Sequence, residues 1–140
     1  LSMLTLISLL LVSPEVSAED DSYPVVILND QVPYDRLSRS TLRSIFTMRL
    51  NRWADGSPIK VFVLADSDPV HRLFSKRALA VFPYQLRQTW DRSVFSGTGQ
   101  APIEMESQKQ MLETVQQTVG AIGYILGGEK QMGVRYVVVE

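Results

Sequence analysis

Leu42-Arg-Ser-Ile-Phe-Thr-Met-Arg-Leu-Asn-Arg-Trp-Ala-Asp-Gly-Ser-Pro-Ile-Lys-Val-Phe-Val-Leu64 decides how the rest of the chain is read. Leu42, Ile45 and Phe46 recur at helical spacing and share one apolar face. Asp55-Gly56-Ser57-Pro58 is turn chemistry: glycine admits φ > 0, and proline presets φ ahead of an extended segment. Ile59, Val61, Phe62, Val63 and Leu64 then form a nearly continuous β-prone run, the pattern of a strand covered on both faces. The stretch therefore predicts a short helix, a turn carrying Trp53 and a buried strand.

Upstream, Tyr23-Pro-Val-Val-Ile-Leu-Asn29 reads as a first strand with Pro24 at its edge. Residues 30–37 read as a loop, and Ser38 or Ser40 can N-cap the helix that ends near Met48. Downstream, Ala65-Asp-Ser-Asp-Pro69 is a tight strand-to-helix junction, with Asp68 as N-cap and Pro69 as the first helical residue. The expected inward stripe of that helix is Val70, Leu73, Phe74, Ala78 and Val81, which leaves His71, Arg72, Ser75 and Lys76 outside it. Pro83 separates it from a second helix, where Leu86, Trp90 and Val94 are expected inward and Arg87 and Asp91 can pair at i,i+4. A glycine-rich loop, Phe95 to Pro102, leads to a helix expected from about Met105 to Gln117. Gly120-Ala-Ile-Gly-Tyr-Ile-Leu126 and Val134–Glu140 read as strands, and Trp53, Trp90 and the phenylalanines are assigned to the core. The order β-α-β-α-α-α-β-β predicts an α/β fold of three layers, a mixed β-sheet flanked by helices.

Composition narrows the function classes. Leu4 to Val12 is an apolar run of signal-peptide length, followed by the small-x-small pattern Val16-Ser17-Ala18. Residues 1–18 are expected to be a signal peptide cleaved near Ala18, and 19–140 a single domain exported to the periplasm. A chain of that length can bury a core by itself. It has no cysteine, which excludes a disulfide scaffold, thiolate metal sites and thiol catalysis. No second apolar run is long enough to span a bilayer. Between Arg36 and Arg92 eleven Lys and Arg face four acids, Asp55, Asp66, Asp68 and Asp91. This locally basic middle can attract anions or can be a solvated surface. Its cations are scattered and lack interleaved exposed aromatics, which argues against nucleic acid.

Taken together, Leu42-x-x-Ile-Phe46, Trp53-x-Asp-Gly-x-x-Ile59, the strand after it and Gly120-Ala-Ile-Gly-Tyr124 resemble the periplasmic phosphate-binding proteins of ABC transporters. The resemblance spans roughly Tyr23 to Leu126 and implies a short member of one periplasmic-binding-protein-like lobe, a non-enzymatic solute-binding module without cofactor. Family members carry a Gly-Ser-Gly-Thr segment, preceded by an Arg, after the strand that corresponds to Ile59–Leu64, and hold phosphate there at a helix N-terminus. Here that junction reads Val63-Leu-Ala-Asp-Ser-Asp-Pro-Val70. Asp66 matches the family's Asp, but Asp68 and Val70 replace hydroxyl residues, and Pro69 removes an N–H donor. A carboxylate at the N-cap repels an incoming anion, so the resemblance implies a degenerate phosphate site.

Ser96-Gly-Thr-Gly99 superficially reproduces the lost motif and can be an anion nest or, equally, a helix C-cap with Gly97 in the left-handed conformation. The candidate ligand-binding residues are thus Asp66, Ser67, Ser96, Gly97, Thr98, Gly99 and Arg72. Asp68, His71 and Ser75 suggest a triad on paper, but lie within two turns of one helix, where side chains run side by side, so no catalytic residue is expected. One His and no Cys leave too few ligands for a metal site. The partners that remain are a small phosphate-like oxyanion, a transporter or sensor protein, or a second copy of the chain. An interaction domain that kept the fold and lost the ligand is the alternative function.

Overall fold

The computed structural model describes residues 23–140. The expected signal peptide at 1–18 and the start of the expected domain at Glu19 lie outside the described residues. Six strands and four helices follow one another as β1 (Pro24–Asn29), β2 (Arg36–Leu37), α1 (Arg39–Phe46), β3 (Lys60–Leu64), α2 (Pro69–Leu73), α3 (Pro83–Phe95), β4 (Ile103–Met105), α4 (Gln108–Gln117), β5 (Ala121–Leu126) and β6 (Val134–Val139). The strands form one mixed sheet in the order β2-β6-β1-β5-β3-β4. The central strand β1 is antiparallel to both β5 and β6. In contrast β3 runs parallel to β5 and β4, and β2 parallel to β6.

Two adjacent residues of β5 show why there are three layers. Consecutive strand side chains point to opposite faces. A Cβ on Gly123 would meet Met111 and Val115 of α4. Tyr124 instead stacks on Phe74, with ring centroids 3.8 Å apart, and lies 6.0 Å from Phe46 of α1. So α4 covers one face and the helices α1 to α3 the other. The absent side chain at Gly123 lets α4 approach the sheet closely.

The stretch 42–64 folds as its pattern dictates. Ser38 caps α1 by accepting from the Thr41 amide at 3.0 Å. Asp55 accepts from the Ser57 amide, Gly56 sits at φ +87°, and the Trp53 and Gly56 amides close the turn. The Trp53 indole N–H reaches across to donate to the Gly120 carbonyl at 3.0 Å, which also accepts from the Lys60 amide. The turn is thereby tied to the start of β5.

Some expectations fail for identifiable reasons. Residues 36–37 form β2, and Ile103–Met105 form an edge strand where a helix start was expected. Ser107 is the true N-cap of α4, accepting from the Gln110 amide at 3.1 Å. Val94 and Phe95 are exposed, because each i+4 step rotates a further 40° round the helix and α3 runs out of core by its end. Phe82 is also half exposed, in a stack with Tyr84. After α2 the chain widens into a π-helical turn, Phe74–Ala78. His71, Ser75 and Ala78 are buried there with Val70 and Phe74, so the inward face is turned relative to the expected one.

Gly120 cannot be replaced without disturbance. It adopts φ +82°, and an added Cβ would lie 2.5 Å from the Pro58 carbonyl oxygen. Gly120→Ala is expected to lower stability by about 1–3 kcal/mol, measured by urea denaturation, because both the conformation and the clash oppose it.

Candidate functional site

The carboxyl end of β3 leads into α2 through Ala65, Asp66, Ser67 and Asp68. The Asp68 amide closes this turn on the Ala65 carbonyl at 2.9 Å. Asp68 then caps α2 by accepting from the Val70 amide at 2.8 Å, with Pro69 at the first helical position. Of the first amides of this helix, one is missing and one is already held by a carboxylate.

Asp66 is engaged as well. Arg87 of α3 donates from Nε to Oδ2 at 2.8 Å and from Nη2 to Oδ1 at 3.0 Å, a two-pronged pair. The hydrogen bonds from Arg87 hold the Asp66 carboxyl below its ordinary range and raise the guanidinium in turn. Arg87 also lies 5.2 Å from the Trp90 ring centroid. Its expected partner Asp91 is 3.8 Å away, a looser contact than Asp66.

Behind this pair is a buried network that includes His71, a residue expected outside the inward stripe. His71 is fully buried. The Leu64 amide donates to the Tyr124 phenol oxygen at 2.8 Å, and the phenol is hydrogen-bonded to His71 Nδ1. Since the phenol oxygen accepts from Leu64, its own hydrogen is best directed at Nδ1, which leaves the neutral imidazole protonated at Nε2. Among the described residues Nε2 has no hydrogen-bond partner, and it faces Asp66 Oδ1 at 3.8 Å. Burial pushes His71 below its ordinary value, with Asp66 opposing that and Arg87 reinforcing it. Burial pushes the Tyr124 phenol upward, so it stays a donor. Ser75, also expected outside, is buried and donates to the Val81 carbonyl. A signal for the network did exist: His71, Phe74, Ser75 and Ala78 fit i, i+3, i+4, i+7, and a tyrosine in an apolar strand needs a partner for its hydroxyl.

The candidate residues do not meet at one place. Ser67 and Arg72 are exposed near Asp66 in the chain. Ser96, Gly97, Thr98 and Gly99 follow the carboxyl end of α3 instead, and no backbone nest forms there. Their amides donate to the carbonyls of Arg92, Val94 and Ser93, with Gly97 at φ +70°, a C-cap arrangement. The carbonyl end of a helix carries partial negative charge, which disfavours an anion. Thr98 and Gly99 line a cleft of about 380 Å³ with Arg52, Lys60 and Ile103. That cleft lies at the amino end of β3, roughly 15 Å along the strand from Asp66. Among the described residues no cluster of three or more His, Asp or Glu is placed to hold a metal, and no helix is long and apolar enough to cross a membrane.

No protein-family model and no curated sequence matches the chain. Solved structures do. An ABC-type phosphate transport receptor from Vibrio cholerae superposes with a TM-score of 0.65 at 16% identity, over 84% of this chain and 46% of its own. A phosphate ABC transporter substrate-binding protein from Clostridium perfringens, with bound phosphate, gives 0.66 at 19% identity, over 84% and 44%. PstS from Borrelia burgdorferi gives 0.60 at 16% identity, over 84% and 47%. The chain has the fold of a phosphate-binding-protein lobe. This lobe spans less than half the length of each of those proteins.

The Asp66–Arg87 pair sets an acid limit on the lobe. Above about pH 3.9 the carboxyl is ionised in both folded and unfolded chains. As pH falls below that value the unfolded chain takes up the proton first, so the contribution of the pair is lost as pH drops through the lower folded value. Arg87→Met is expected to flatten this part of a stability-versus-pH curve measured by urea denaturation below pH 4.

Proposed function

We propose that the chain is an exported, non-enzymatic, solute-binding-like module whose phosphate site is degenerate. The observation that carries this reading is the junction after β3, where Asp68 holds the Val70 amide at 2.8 Å and Pro69 offers none. A phosphate placed there would meet a capping carboxylate in place of free donors, and like charges repel most strongly where water is scarce. Asp66 adds a second carboxylate, and the cation beside it, Arg87, already serves that carboxylate with both prongs. That structural neighbours are a transport receptor and a substrate-binding protein supports a binding role over catalysis. The same likeness, with the signal-peptide pattern of the sequence, supports a periplasmic location.

Isothermal calorimetry of the purified chain with inorganic phosphate and with sulfate is expected to give no saturable binding up to millimolar ligand. A thermal-shift series should agree, since a ligand that binds only the folded state raises its apparent stability by mass action. Micromolar or tighter phosphate binding would overturn the degenerate-site reading.

A further inference from the structure

The β3–α2 junction contains one buried polar group, Nε2 of His71, that has no hydrogen-bond partner among the described residues. Such a group is costly to bury, and an orphan at a junction of several elements calls for a reason. Its surroundings supply one. On one side, Nδ1 is bonded to the Tyr124 phenol of β5, which in turn receives the Leu64 amide of β3. On the other, Nε2 faces Asp66 Oδ1 at 3.8 Å, the oxygen to which Arg87 of α3 donates from Nη2.

We propose that His71 is a proton-operated latch: the neutral ring holds Tyr124 and leaves Asp66 to Arg87, and the protonated ring reverses both contacts. The steps follow from donor counting. Nδ1 of the neutral ring accepts the phenolic hydrogen. When the ring takes up one proton, Nδ1 becomes a donor and can no longer accept. The Tyr124 oxygen then faces two donors, the Leu64 amide and Nδ1–H, and its own hydrogen is left without an acceptor. At the same time Nε2–H gains a positive charge beside the Asp66 carboxylate. It draws Oδ1 closer and competes with the Nη2 prong of Arg87. Arg87 is partly exposed and can turn toward water, which loosens α3 from the end of β3.

The charges around the ring set the direction. Asp66 and the N-cap Asp68 favour the proton, Arg87 opposes it, and burial opposes it most. Tyr124 faces the ring from β5, Glu104 of β4 acts on Tyr124 and Arg87, and Asp91 lies 3.8 Å from Arg87. The unfolded chain protonates near the ordinary value of about 6.5 and the folded chain only below it. Above about pH 6.5 the ring is neutral in both states and contributes no pH dependence. Below that, the folding equilibrium constant falls by up to tenfold per pH unit until the buried ring is itself protonated. This window lies above the one set by Asp66.

The test is imidazole and guanidinium NMR on the whole chain from about pH 8 to 4.5, a span that brackets the ordinary histidine value. The expected result is the Nε2–H form at neutral pH, a His71 midpoint below about 6.5, and an Arg87 Nε–H resonance that moves with the same midpoint. Asp66→Asn is expected to lower that midpoint further and to uncouple Arg87 from it. In denaturation experiments His71→Gln should remove the pH dependence between about 6.5 and the folded midpoint. An Nδ1–H form at neutral pH would overturn the proposal, and so would an Arg87 resonance indifferent to the His71 titration. If His71→Gln does not fold, the Asp66→Asn arm and the wild-type spectra still decide the matter.

Discussion

The phenol of Tyr124 is the constraint on which the lobe's architecture depends. It lies in the middle of the sheet, on the face opposite α4, and is fully buried. Its ring stacks on Phe74 and lies 6.0 Å from Phe46, so it joins α1 and the π-helical turn to β5. Its oxygen receives the Leu64 amide, at the last residue of β3, and bonds His71 of α2. A buried hydroxyl must be hydrogen-bonded, and here the need to satisfy one brings three elements, β5, β3 and α2, into register at the carboxyl end of β3. The opposite face works by subtraction: Gly123, next to Tyr124, withholds a side chain so that Met111 and Val115 can pack there.

The fold matches that of phosphate-binding proteins, and at the junction after β3 several polar groups pair with one another. Asp68 engages the helix amide, Arg87 engages Asp66, and Tyr124 engages His71. Among the buried side-chain polar atoms of the described residues, His71 Nε2 is left without a hydrogen-bond partner. The cleft near Lys60 and Thr98 sits at the other end of the strand and shares none of this network.

Much of the fold was legible in the chain. The stretch 42–64, the cap at Asp68, the choice of Ser38 or Ser40 as the first cap, and the alternation of strands and helices all act through local rules. Those rules were less informative for short edge elements. The two residues of β2 and three of β4 carry too little pattern to be read alone, and they are strands because β6 and β3 offer them partners. For the same reason Ser96–Gly99 was ambiguous. A nest and a C-cap use the same residue types, and only the position after α3 shows where the amides point.

The sequence by itself determined the α/β class, a buried strand ending at Leu64, the Trp53 turn and the carboxylate cap at Asp68, since each depends on neighbours within a few residues. The tertiary structure alone decided that His71 and Ser75 lie inside, that Arg87 reaches Asp66 from α3, and that the candidate residues divide between two ends of the sheet. Those contacts join residues that are distant in the chain or turn a helix about its axis. A polar side chain is buried or exposed according to the partner that another element brings to it.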